Sequence, residues 1–300
     1  LDQREPITEL SLEQILRFYR HPIRGFFQQR LKVHFSIEET ELPEEEPFVL
    51  GGLQRYKIND QVLDLLVKDE DPNPLYHALK ASGQLPAKQF GQLFWEKQLN
   101  DIAPLAEKVK EYGDRRVDYP IECEIHEIKI TGLLRNVHES GILRYRPAYL
   151  TANDGVQLWI EHLFFNAFVR EGESIALGRE NSVWHFSAIS SEYAKVHLNT
   201  LIEGYCEGMN TPLILLNQSG WNWISACFDK KTKEYDFMSE DVQQKALSAL
   251  LQSLQGSQMK VGEMEDDYVL RACRSINSSL IESLLSNTRR FLLPMAEYLK

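Results

Sequence analysis

The side chains best placed to do chemistry are cationic. Arg135, Arg144 and Arg146 lie within TGLLRNVHESGILRYRPAYL (131–150), where two apolar-alternating segments flank a short turn at Glu139-Ser140-Gly141. A guanidinium offers no lone pair to a metal and stays protonated, because its pKa lies above about 12. Three of them together repel a divalent cation, and they suit phosphate groups or a partner's carboxylates. Pairing with Glu122, Glu124 or Glu139 is the structural alternative.

A second basic group comes earlier. Between Ser11 and His34 the only acid is Glu13, against Arg17, Arg20, Arg24, Arg30 and Lys32. With Phe18, Tyr19, Phe26 and Phe27 nearby, this segment is either a phosphate-contacting surface or an aromatic core stripe with a solvated arginine face. Trp221 and Trp223 could stack on unpaired bases or pack in a core or interface. The remaining search is negative. The sequence holds no G-x-S-x-G, Walker A or HExxH motif, and no pair of histidines with metal-ligand spacing on one helix face. Glu122 and Glu124 share one strand face and read as exposed sheet residues. No cofactor and no metal site is expected.

Composition bounds the partners. The 300 residues carry 44 acids against 33 Lys and Arg, a net charge of −11, which does not favour whole-surface binding to nucleic acid. Charge is segregated, however. The acidic run Glu38, Glu39, Glu41, Glu44, Glu45 and Glu46 follows the basic segment directly, and only charges within about 8–10 Å act strongly on one another in physiological salt. Four dispersed cysteines without a CxxC pair suggest reduced thiols and a cytoplasmic setting. No apolar run reaches the roughly 20 residues that span a bilayer. The chain opens on Leu without a cleavage-site pattern and reads as a fragment of something longer, with no signal peptide.

The elements that must position these residues follow from periodicity. Ser11 opens a helix, and Pro22 begins a second one after His21. The acidic run, with Pro43 and Pro47, reads as a solvated loop. Helices are expected at 56–68, 75–81 and 86–111. Period-two alternation then gives a three-stranded meander over 119–151 with a turn at His126-Glu127, followed by an amphipathic helix at 156–169. Short strands at 174–177 and 183–186, a helix at 190–207, an apolar strand at 212–216 and helices at 239–254 and 279–299 complete the chain. The fold class expected is α/β, a mixed central sheet flanked by helices. It divides into a helical part, 1–118, packed on a core, 119–300, as one compact unit.

Several stretches carry a resemblance. SLEQILRFYRHPIRGFFQQRLKV (11–33), GLQRYKIN (52–59), LPAKQFGQLFWE (85–96), ITGLLRNV (130–137), LRYRPAYL (143–150), QLWIEHL (157–163), LIEGYCEGMNTPLILL (201–216) and RRFLLPM (289–295) together resemble the RecC C-terminal domain family. RecC is the gamma subunit of exonuclease V, the RecBCD helicase–nuclease of double-strand-break repair. The resemblance implies a degenerate relative of the PD-(D/E)xK (restriction-endonuclease-like) nuclease domain with helical additions. In active members of that class a hairpin carries Asp on its first strand and Asp-x-Lys on its second, which fix Mg²⁺ and sit near the attacking water. Here those positions are Arg135, Arg144 and Arg146. The upstream metal-ligand His is Trp95, the helix after the hairpin keeps Gln157, and the Tyr usual four residues later is Glu161. His21 stands where some relatives place an iron–sulfur Cys. The implied function is non-catalytic: structural support and DNA guidance in duplex splitting and strand channelling, with RecB, RecD and DNA as partners in a cytoplasmic complex whose parent enzyme is the ATP-dependent exodeoxyribonuclease. The paired-strand segments near 174–186 and 213–228 are candidates for the duplex-splitting pin. The alternatives are an active Mg-dependent nuclease with migrated carboxylates (Glu122, Glu124, Asp154 or Glu161) and a purely protein-binding scaffold.

Overall fold

The structure, a computed structural model, describes residues 6–35, 51–86, 88–113, 116–229, 231–258 and 260–300. The acidic run at 38–46 lies outside the described residues. A short strand, β1 (Glu9–Ser11), leads into α1 (Leu12–Arg20) through a capping box. The Ser11 hydroxyl accepts the Gln14 N–H at 3.1 Å, and the Gln14 side chain accepts the Ser11 N–H at 2.7 Å. Leu12, Ile15, Phe18 and Tyr19 of α1 are buried. Pro22 then opens α2 (Pro22–Gly25), which continues as a π-helical turn at Phe26–Arg30.

Three helices follow: α3 (Gly52–Val67), α4 (Asn73–Ala81) and α5 (Gln89–Lys110). The meander is β2 (Val117–Ile125), β3 (Ile128–Val137) and β4 (Gly141–Tyr145). Both residues of the β2–β3 turn, His126 and Glu127, have positive φ, the geometry of a type I′ hairpin turn. α6 (Ala152–Phe168) crosses over to β5 (Glu173–Leu177), which pairs parallel with β4, and β6 (Val183–Phe186) returns antiparallel. β1 pairs parallel with β3 at Glu9–Ser11, while β2 runs antiparallel along β3. The result is a mixed six-stranded sheet flanked by helices.

Beyond the sheet come α7 (Ser191–Gly208), α8 (Asn217–Ala226), a two-stranded ribbon of β7 (Phe228–Asp229) and β8 (Glu234–Tyr235), and α9 (Glu240–Gln255). A second ribbon, β9 (Gly256–Ser257) with β10 (Lys260–Val261), precedes α10 (Asp267–Cys273), α11 (Ser278–Phe291) and α12 (Leu293–Glu297). The final residues return to the sheet: Leu299 bridges Phe186, and the Lys300 N–H donates to the His185 carbonyl at 2.9 Å.

Three sequence expectations are corrected. No sheet partner is described for 212–216, which runs unpaired between α7 and α8 and buries Leu213, Leu215 and Leu216. Its apolar character serves packing, not strand pairing. The segment 213–228 is accordingly not a pair of strands, because Trp221 and Trp223 lie on α8. The helix after the meander is also not amphipathic. Thirteen of its residues are buried, among them Trp159, Ile160, Leu163, Phe164 and Phe165, as expected of a helix enclosed on all sides.

Two apolar clusters result. The larger joins α1, α6, α7, α8 and the C-terminal helices to one sheet face, through residues such as Ile130, Leu134 and Ile142. The smaller joins α3, α4 and α5 to the other face, through Leu143, Ile175 and Leu177. Strand alternation divides β4 between them: Ile142 belongs to one cluster and Leu143 to the other.

Candidate functional site

That alternation builds the first site. Ile142 and Arg144 on β4, and Arg146 just past its end, follow at period two and turn toward α6, whereas Leu143 and Tyr145 turn toward α3–α5. On α6, Asp154, Gln157 and Glu161 recur at helical spacing and face the same space. Arg144 grips Glu161 through two guanidinium nitrogens, with Nε at 2.9 Å from Oε2, and its third nitrogen donates to the Arg135 carbonyl. Arg146 donates to Asp154 Oδ1 at 2.7 Å, and its guanidinium lies 5.6 Å from the Tyr56 ring. The other Asp154 oxygen accepts the Thr151 N–H and hydroxyl at 2.7 and 2.9 Å. The cleft so formed holds about 260 Å³, with Leu16, Leu150, Leu158 and Ala176 as its apolar wall.

The chemistry of this donor set is set by charge. Each carboxylate has both oxygens engaged, and the principal partner of each is a guanidinium. A cation entering the cleft would first have to displace an arginine. Glu161 is 8% exposed, so its pairing with Arg144 is a partly buried ion pair whose disruption is costly. The arginine partners are therefore Asp154 and Glu161. The expected partners are elsewhere: Glu122 is exposed and pairs with Lys129 at 2.7 Å, which lowers its pKa, and Glu124 is exposed.

Arg135 does not join the other two. Leu134 faces the larger cluster, so its neighbour Arg135 points to the opposite face, exposed, and contributes only its backbone carbonyl. Trp95 is buried at 4% exposure among α3–α5 against Tyr76, with ring centroids 5.6 Å apart, and does not line the cleft.

Arg17, Arg20 and Arg24 line a second, larger recess of about 560 Å³ with His21, Gln28, Gln29 and Asn153. The two recesses are lined by consecutive residues of the same helices, Leu16 and Arg17 on α1 and Asp154 and Asn153 on α6. Arg24 pairs with Asp266 at 2.6 Å, and His21 Nε2 approaches the same carboxylate at 3.3 Å. Burial alone would raise the Asp266 pKa, but His21 and Arg24 outweigh it and hold the carboxyl well below the usual range. Asp266 also caps α10 by accepting the Tyr268 N–H at 3.0 Å. Asn153, Gln28, Gln29 and Asp266 were not singled out from the sequence. Only Asp266 has a local signal, an acid immediately before a helix.

The tryptophans lie apart from both recesses. Trp223 is 3% exposed, stacked on Phe237 at 5.4 Å, with Arg289 5.1 Å above its ring. Its faces are occupied. Trp221 is half-buried against Trp184 at 4.6 Å. Among the described residues no three His, Cys, Asp or Glu side chains gather as a metal site, and no helix is long and apolar enough to cross a membrane.

Residues 7–228 match the family model of the RecC C-terminal domain. The chain belongs to this RecC family. The RecBCD enzyme subunit RecC of Escherichia coli (strain K12) is 39% identical over 291 residues, covering 96% of this chain and 26% of that protein. The RecC subunit of Buchnera aphidicola subsp. Acyrthosiphon pisum is 28% identical over 290 residues, 96% of this chain and 27% of that protein. That of Haemophilus influenzae is 22% identical over 213 residues, 68% and 19% respectively. The chain thus spans about a quarter of the length of the first two RecC relatives. Both recesses lie within the matched residues, apart from Asp266 on the far side of the basic one.

Proposed function

We propose that this RecC-family chain is a non-catalytic, DNA-guiding part of a RecBCD-type enzyme in cytoplasmic double-strand-break repair and recombination. It supports duplex splitting and strand channelling and contacts RecB and RecD. Its core is a PD-(D/E)xK-like nuclease domain whose chemistry has been replaced by charge pairing. The order of helix α5, meander β2–β4, crossover α6 and parallel strand β5 supports that reading of the core. So does the presence of Arg144 and Arg146 at the Asp-x-Lys positions. The observation that carries the functional reading is the closure of the cleft's two carboxylates, Asp154 and Glu161, by those arginines.

The chain works as one unit in this proposal, since β1 and α1 from the helical part complete the sheet and the larger cluster. Subunit contact is supported by α5, which leaves Phe90 and Leu93 68% and 61% exposed on one helical face. The test is metal titration and nuclease assay of the full-length protein that carries this chain. No stoichiometric Mg²⁺ or Mn²⁺ site and no DNA degradation of its own are expected. Degradation abolished by D154A or E161A would overturn the proposal and leave an active nuclease with migrated carboxylates.

A further inference from the structure

The two recesses differ in what their arginines already hold. In the cleft, Arg144 and Arg146 are each matched by a carboxylate. In the larger recess, the Arg17 and Arg20 side chains are exposed and make no hydrogen bond or ion pair to any described residue. Arg24 shares Asp266 with His21. The Arg24 backbone N–H donates to His21 Nδ1 at 3.1 Å, so the ring proton sits on Nε2 and faces Asp266. Arg24 is thereby held from two sides.

The amides of the recess are also oriented. Asn153 accepts from Asn217 through Oδ1 at 2.8 Å, and Gln29 accepts from the Tyr205 hydroxyl through Oε1 at 2.9 Å. With their oxygens engaged, both are left with NH₂ groups that have no partner among the described residues. Two unmatched guanidiniums and two free amide donors therefore surround one concavity, and its lining includes no large apolar anchor. A protein contact built around an apolar core would find none here. A phosphodiester needs only donors and positive charge.

We propose that the Arg17–Arg20–Arg24 recess binds the phosphate backbone of a nucleic-acid strand, independently of sequence, with Arg17 and Arg20 each neutralising one phosphate. This rests on the DNA-guiding reading and narrows it to one surface. It separates the family's nuclease-like cleft, closed by internal pairing, from the place where this chain touches DNA.

The test compares the full-length protein carrying this chain with its R17Q/R20Q variant, by fluorescence anisotropy of labelled oligothymidine across a salt series. The variant should bind about 10-fold more weakly at low salt. The slope of log K against log salt should fall by about 1.4, since each phosphate that an arginine neutralises on a single strand accounts for roughly 0.7. Unchanged affinity and slope would overturn the proposal, as would competition by polyglutamate more effective than by unlabelled oligothymidine. Circular dichroism controls for folding, and the single R20Q variant, which should show half the change in slope, keeps the test decisive if the double variant is unstable. If the unmodified protein binds no oligothymidine at all, the DNA-guiding reading itself fails. Loss confined to R17Q/R20Q leaves that reading standing and supports this site.

Discussion

Replacing Arg144 by Ala tests whether the cleft is held by charge pairing. The substitution leaves Glu161, 8% exposed, without its cation. Removing one partner of a buried pair costs about 3–5 kcal/mol. The reverse substitution, Glu161→Ala, should cost less, about 1–2 kcal/mol. The Arg144 side chain is 26% exposed and keeps its bond to the Arg135 carbonyl, so it can rehydrate. The double variant should be less damaged than the sum of the two, with a coupling of at least about 1 kcal/mol. R144M/E161L, which replaces the pair with apolar groups, should fall within about 2 kcal/mol of the unmodified chain. Urea denaturation followed by circular dichroism measures all four. At an m-value of about 3 kcal/mol per molar, R144A should lower the midpoint by about 1–1.7 M. An R144A loss below about 1 kcal/mol, or strictly additive losses in R144A/E161A, would refute the argument that Glu161 depends on Arg144.

Other perturbations probe the frame around the cleft. His162 is fully buried between Ser174, at 2.8 Å, and Trp159, and burial lowers its pKa to about 4. The unfolded chain takes up its proton near pH 6.5, so this contribution to stability is intact above that pH and falls as pH drops toward 4, by at most about 3 kcal/mol. Urea midpoints across pH 4–7 check this, and H162Q should flatten the profile. Asp266, whose carboxyl is held low, loses its contribution only at more acidic pH, and D266A should lower the melting temperature by removing both the α10 cap and the ties to His21 and Arg24. G132A should destabilise by about 1–3 kcal/mol, because the added methyl would sit 2.4 Å from the Leu12 Cβ where α1 meets β3. A melting temperature within a degree of the unmodified chain would contradict that contact.

The sequence announced local order well. Ser11 and Pro22 mark helix starts that the structure keeps, and the slip in phase at His126-Glu127 locates a real turn. Period two also places Arg144 and Arg146 on one face, because alternation depends only on neighbours along the strand. What partners that face was less legible. Asp154 and Glu161 were visible as acids, but a crossover helix can dock in several rotations, and only packing of Trp159 and Phe164 fixes which acids meet which arginines. The segment 212–216 misled for a related reason, since a short apolar run reads alike whether it pairs in a sheet or fills a gap between helices. Trp95, Gln29 and Asn153 show the same limit. Their surroundings are assembled from distant parts of the chain, and no local spacing encodes them.

The sheet's far edge has a consequence for how the chain comes to be folded. β6 is finished by Leu299 and Lys300, and the opposite side of the sheet takes in β1 from residues 9–11. Strand pairing therefore draws on both ends of the described chain. During synthesis, β5 and β6 emerge and can pair, but the outer edge of β6 keeps its backbone donors and acceptors open until residues 298–300 arrive. An open edge of that kind is a template for pairing with other chains. Residues 298–300 act as a late-arriving guard on the sheet, and disrupting their pairing with β6 should be felt first as aggregation of newly made protein.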